Sequence, residues 1–375
     1  MNEETSLKTS QRWVIKIGSG LLTSNESGLN TKVIDAWTEQ IALLKTQGYQ
    51  IVIVSSGAVA EGIKRLGWEK RPKTLHQLQA AAAVGQAGLI EAYEVRFNKH
   101  KLITAQILLV HEDLSSRSRY LNAKQTLSSL LSNNVIPIIN ENDTVATDEI
   151  RFGDNDTLAG LVTNLIDADR LLILTDQNGV FTDDPRKNLE ARFIKSCDIG
   201  DSILEEIAKG SGNSLGRGGM ITKIKAAKLA ARSGADTIIA NGLEENIIYR
   251  LSQKELIGTK LTHKNEPISA KKQWLSNSLQ TNGYLTIDEG AKKVIKVNGK
   301  SLLPIGVTHV QGEFYRGDLV VCIDKNGKEI AKGLVNYNSE EVKKIAGNSS
   351  DKIFDILGYD SGDELIHRDN LAILS

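Results

Sequence analysis

The sequence predicts an α/β protein: a mainly parallel sheet covered by helices on both faces, followed by a second, small β-rich domain. Two observations carry this. From residue 12 to about 240, short β-rich runs alternate with longer helical stretches, the pattern of parallel strands joined by crossover helices. After a polar stretch at residues 255–282 the alternation stops, and short strand-like runs punctuated by Gly and Asn take over.

The strands of the first region read as RWVIKI, QIVIV, ITAQILLV, VIPII, RLLILT and DTIIA. Helices are expected over TKVIDAWTEQIALLKTQG, the Ala-rich stretch from His76 to Phe97, LNAKQTLSSLLS, TLAGLVTNLIDA and TKIKAAKLAAR, where apolar residues recur at helical spacing. The later runs YLTI, KKVIKV, GVTHVQGEF, GDLVVCI and EIAKGLVNY are read as strands. The boundaries this gives are a first domain over 10–262, a linker over 263–282 and a second domain over 283–370.

Composition narrows the function. Lys plus Arg and Asp plus Glu number 46 each in 375 residues, so no global positive field draws nucleic acid. From Ser269 onward the balance is again even, 14 against 14. A charged ligand must therefore be held locally. With two distant cysteines, Cys197 and Cys322, and no continuous apolar core in MNEETSLKTSQRW, a reducing, cytoplasmic setting is expected. No apolar run approaches the ~20 residues that cross a bilayer, so no membrane partner is expected.

Several strands end in small or polar residues: GSG after RWVIKI, SSG after QIVIV, NEND after VIPII and TDQNG after RLLIL. Loops at the carboxyl ends of parallel strands converge on one crevice, which is where open α/β sheets bind ligands. Four stretches there have chemical content. In VIKIGSG, Lys16 either points to solvent from a sheet edge or joins Gly18 and Gly20, whose backbone admits an anion closely. In SGNSLGRGGMITKIKAAKLA, a Gly-rich loop runs into a helix carrying Lys223, Lys225 and Lys228; it is either a flexible connector or an anion site at a helix N-terminus. Ser56 and Gly57 of SSGAVAEG read alone as ordinary turn residues. Asp154, Asn155 and Asp156 precede a helical repeat that needs only one of them as a cap, while Glu141, Asn142 and Asp143 follow a strand just upstream. No P-loop, complete G-x-G-x-x-G or G-x-S-x-G is present, against P-loop NTPases, dinucleotide dehydrogenases and serine hydrolases. Lysines for phosphates beside acids for an ammonium suggest phosphoryl transfer to an amino acid. No all-protein metal cage is evident, although Mg²⁺ favours carboxylate, water and phosphate oxygens.

Taken in order, KIGSG, IVIVSSGAVAEG, NENDTVAT, GDND, LLILTDQNG and LGRGGMITK resemble the branch of the amino acid kinase family that phosphorylates the side-chain carboxylate of L-glutamate for proline synthesis, and the tail beginning TIDEGA resembles a PUA domain. The resemblance implies ATP with Mg²⁺, with Lys16, Asp154 and Lys223 as catalytic residues and Asp154 between the two lysines. It implies nucleotide contacts from Lys16, Gly18, Thr175, Asp176 and the run Arg217, Gly218, Gly219, Met220, Ile221, Thr222 and Lys223. Glutamate would be held by Ser56, Gly57, Asp143 and Asn155. It further implies proline as feedback inhibitor, glutamyl phosphate reductase as partner and a homo-oligomer. Arg217 departs from the pattern, which has Thr there; its charge either strengthens nucleotide contact or points outward. The rival readings are a kinase for acetylglutamate, aspartate or carbamate, or an RNA-binding protein acting through the tail.

Overall fold

The computed structural model describes residues 11–24, 28–115, 117–146, 155–210, 219–263, 281–359 and 362–374. The chain divides into two compact units, one of residues 1–114 and 123–264 and one of residues 115–122 and 265–375. The linker expected over 263–282 lies almost wholly outside the described residues.

In the first unit, eight strands form one sheet: β1 (Arg12–Ile17), β2 (Gln50–Ser55), β3 (Thr104–Leu109), β4 (Ile136–Glu141), β5 (Arg170–Thr175), β6 (Ser196–Asp198), β7 (Asp236–Asn241) and β8 (Thr259–Thr262). Their order is β6-β8-β7-β5-β1-β2-β4-β3, and every neighbouring pair is parallel except β7 with β8. Strand β1 is therefore interior, between β2 and β5. This decides the two readings of Lys16: the strand is buried from Trp13 to Ile17, and Lys16 is 5% exposed. Trp13, Ile15 and Ile17 share one apolar cluster with Trp37, Ile41 and Leu44 of α1 (Thr31–Thr46), so strand alternation turns Lys16 to the other face.

Helices α2 (Ala58–Arg65) and α3 (Leu75–Lys99) follow β2. They touch backbone to backbone. A Cβ at Gly62 would stand 1.7 Å from the Ala81 carbonyl oxygen, and one at Gly85 would stand 1.9 Å from that of Ala58. After α4 (Arg117–Ser132), α5 (Asn155–Leu165) meets α7 (Met220–Ala230) in the same way, with α6 (Ser202–Gly210) between them in sequence. A Cβ at Gly160 of α5 would lie 2.7 Å from the Ala226 carbonyl oxygen of α7.

The second unit holds a five-stranded sheet of β9 (Gly283–Ile287), β10 (Val307–Gly312), β11 (Leu319–Ile323), β12 (Glu329–Leu334) and β13 (Leu371–Ile373), in the order β10-β9-β11-β12-β13. One expectation is corrected here: KKVIKV is not a strand but part of helix α8 (Glu289–Asn298). Asp288 caps that helix by accepting a hydrogen bond from the Ala291 N–H at 2.7 Å, and Gly299 ends it in the left-handed region at φ 57°. Ile295 then joins the core with Leu285, Ile287, Phe314, Val320 and Tyr337. A capping box of Asn338 and Glu341 opens α9 (Ser339–Ile345).

The close helix contact at Gly62 makes a test. Gly62→Ala adds about 1 kcal/mol of helix propensity but overpacks against backbone that cannot rotate away, a cost of about 1–3 kcal/mol. The urea midpoint of the first unit should therefore fall or at best hold; a clear rise would show that α2 and α3 separate freely.

Candidate active site

The strand ends that the sequence marks do converge. One cleft, with a cavity volume of about 300 Å³, is lined by Lys16 and Gly18 from the end of β1, Ser56 and Gly57 from the end of β2, Asn140, Glu141 and Asp143 from the end of β4, Thr175 and Asp176 from the end of β5, Asn155 of α5 and Lys223 of α7. The Gly18 N–H donates to the Leu174 carbonyl at 3.2 Å, tying the β1 loop to β5. Gly57 sits at φ 109°, a conformation that side chains rarely tolerate, and turns the chain from β2 into α2.

At one end of the cleft a single carboxylate meets two ammonium groups. Asp156, in the first turn of α5, lies 2.5 Å from Lys16 Nζ through Oδ1 and 3.2 Å from Lys223 Nζ through Oδ2. The Thr222 hydroxyl also donates to Oδ2, at 2.6 Å. All three charged residues are buried, with Asp156 only 1% exposed. Burial alone would raise the Asp156 carboxyl, but Lys16, Lys223 and the hydrogen bonds from Lys16 and Thr222 bring it down to about 2. Burial lowers the Lys223 ammonium, with Asp156 pulling it up and Lys16 pushing it further down. Two ammonium groups are thus gathered at one end of the cleft, an arrangement that suits a phosphate group.

The other end is polar and amide-rich. Asn155 Nδ2 donates to Ser56 Oγ at 2.8 Å, to Asn140 Oδ1 at 3.0 Å and to the Ser55 carbonyl at 3.2 Å. Burial pushes the Asp143 carboxyl up to about 6, against the opposing pull of Arg71.

Among the described residues it is Asp156 that lies between the two lysines; the expected Asp154 lies outside the described residues. Successive helical residues point about 100° apart, so neighbours in this cluster face different partners. Arg217 and Gly218 also lie outside the described residues. Gly219 precedes α7, Met220 and Ile221 are half-buried in its first turn, and Thr222 contacts Asp156 rather than the cleft lining. Sequence reasoning passed over Asn140 and Arg71. Asn140 carried a signal, being the first residue of NEND, whereas Arg71 carried none.

Residues 11–241 match the amino acid kinase family over more than half the chain. The chain belongs to the amino acid kinase family. Residues 283–357 match the PUA domain. This family member is 57% identical over 371 residues to the glutamate 5-kinase of Nitrosospira multiformis, covering 99% of this chain and 100% of that one. To the glutamate 5-kinase of Saccharophagus degradans it is 56% identical over 374 residues, covering 100% of both.

The charge arrangement in the kinase cleft fixes the sign of a pH effect. The folded-state carboxyl of Asp156 lies below its ordinary 3.8, so the stability it contributes is full above about 4 and is lost as pH falls towards about 2. Asp156→Asn should be less stable than the parent at neutral pH, by a margin that narrows through that window. Urea midpoints of both proteins from pH 7 to pH 3 measure it, and a constant margin would contradict the pairing.

Proposed function

We propose that the protein transfers the γ-phosphoryl group of ATP to the side-chain carboxylate of L-glutamate, giving L-glutamyl 5-phosphate, the first step of proline biosynthesis. The observation that carries this reading is the cleft's division into a lysine end, Lys16–Asp156–Lys223, and an end where Asp143, Asn155 and Ser56 can hold an amino acid. Near-complete coverage of relatives named glutamate 5-kinase supports it.

The acceptor needs no general base, because a glutamate side chain with a pKa of about 4.3 is already ionised at neutral pH. Catalysis then rests on alignment and charge. Lys16 and Lys223 meet the oxygens of the moving phosphoryl group, and Asp156 keeps both ammonium groups in place. Asp143 takes the substrate ammonium. Ser56, whose oxygen accepts from Asn155, keeps its own proton to donate to a substrate carboxylate. Thr175, Asp176 and the first turn of α7 would contact the nucleotide. Mg²⁺ carried on the nucleotide phosphates would neutralise phosphate charge there. Proline, with the same ammonium and α-carboxylate, would compete with glutamate for the Asp143 pocket.

The test is ADP release with L-glutamate, N-acetylglutamate, L-aspartate and carbamate as acceptors. Turnover is expected with L-glutamate; a preference for any other acceptor would overturn the reading.

Two variants separate binding from chemistry. The Asp143 carboxyl takes up a proton as pH falls through about 6, which removes the counter-charge of the ammonium, so kcat/KM for glutamate should fall on the acid side of that value. Asp143→Asn should have a raised KM and lack this acid limb, while its kcat at saturation survives. Lys223→Ala should instead lose about a hundredfold to a thousandfold in kcat with KM for glutamate little changed, because its charge is matched to the transition state. Steady-state kinetics from pH 5 to pH 8 read both.

A further inference from the structure

Gln86 lies outside the cleft lining, on α3, 8% exposed. Its Oε1 accepts from Asn140 Nδ2 at 2.8 Å, and Asn140 Oδ1 in turn accepts from Asn155 Nδ2 at 3.0 Å. Three carboxamides thus form a chain that ends at the residue facing the substrate.

The chain has only one polarity. A backbone carbonyl can only accept, so the Ser55 carbonyl 3.2 Å from Asn155 fixes the NH₂ end of that amide. The atom of Asn140 that faces it must then be Oδ1, and the atom of Gln86 that faces Asn140 must be Oε1. Asn155 Nδ2 has two hydrogens for three acceptors and is fully engaged, which leaves its Oδ1 for a donor from the substrate. Gln86 Nε2 is buried and has no hydrogen-bond partner among the described residues, so it is the oxygen of Gln86, and not its nitrogen, that the arrangement uses.

We infer that Gln86 is a positioning residue for the amino acid substrate: by anchoring the far end of this relay it locks Asn155 with its acceptor towards the cleft and Ser56 with its hydroxyl proton available for a carboxylate. The anchoring depends on backbone packing. Gly85 lets α3 approach the first turn of α2 closely, and from the next position Gln86 reaches Asn140. Without the acceptor, Asn140 keeps a buried N–H with no partner and relaxes by rotating, which withdraws its oxygen from Asn155. The inference rests on the cleft being a glutamate site.

The experiment compares Gln86→Met with Gln86→Glu in the full chain. Methionine fills the space but removes the acceptor, so KM for glutamate should rise about tenfold, the scale of one buried hydrogen bond, with kcat and KM for ATP within about twofold. Gln86→Glu keeps an acceptor oxygen for Asn140 and exchanges the unused NH₂ for a second oxygen, at a buried position that favours the neutral carboxyl, so KM for glutamate should stay within about threefold of the parent. If Gln86→Met is too unstable to assay, Gln86→Asn, one methylene short of Asn140, carries the same expectation. An unchanged KM for glutamate in the variant lacking the acceptor, or KM values for glutamate and ATP rising together in both variants, would overturn the inference. A parent protein without glutamate-dependent ADP release would instead end the reading of the cleft.

Discussion

Two lysine ammonium groups held buried by one carboxylate are the constraint on which the catalytic unit is organised. Lys16 comes from the middle of the sheet and Lys223 from the first turn of α7, and Asp156 at the start of α5 bridges them. Buried cations are costly unless paired, and here two of them share one carboxylate. The positive charge gathered there is what the proposed phosphoryl transfer would use. It is held in low-dielectric surroundings, where it acts strongly on a phosphate group without reorganising during reaction.

Side chains alone do not hold such a site. The glycines at positions 62, 85 and 160 let pairs of helices meet at distances that a methyl group would prevent. Gly160 brings α5 against α7 and so brings Asp156 to Lys223; Gly85 brings α3 against α2 beside Gln86, which reaches Asn140. The charged end and the amide end of the cleft are thus each placed by a backbone contact one to two helical turns or less away. Adjacent residues of α5 serve both ends, Asn155 turning to the amides and Asp156 to the lysines.

The two ends also differ in how they resist error. Charges at the lysine end attract over several ångströms, whereas hydrogen bonds at the amide end weaken steeply with angle and require the right atom on each side. A relay whose direction is set by a backbone carbonyl removes the ambiguity that carboxamides carry. That suits a part of the cleft whose task is to recognise a substrate by its pattern of donors and acceptors.

By itself the sequence determined the alternation of strands and helices, the polar loops at the strand ends and the order of motifs that marks the family, because hydrophobic periodicity and turn chemistry are local. It also brought Lys16, Ser56, Asp143, Asn155, Thr175 and Lys223 to attention, each beside a glycine or polar signal. The tertiary structure decided the rest. Whether Lys16 faced solvent or the interior depended on β1 being an interior strand, which follows from pairing across the whole sheet. Whether KKVIKV became strand or helix depended on the cap at Asp288 and the core that receives Ile295. Three consecutive polar residues, Asp154, Asn155 and Asp156, were indistinguishable in sequence, since helix phase relative to the sheet assigns their partners and each step along a helix turns about 100°. Gln86 was silent for the same reason: its partner is 54 residues away, and only packing brings one carboxamide to another.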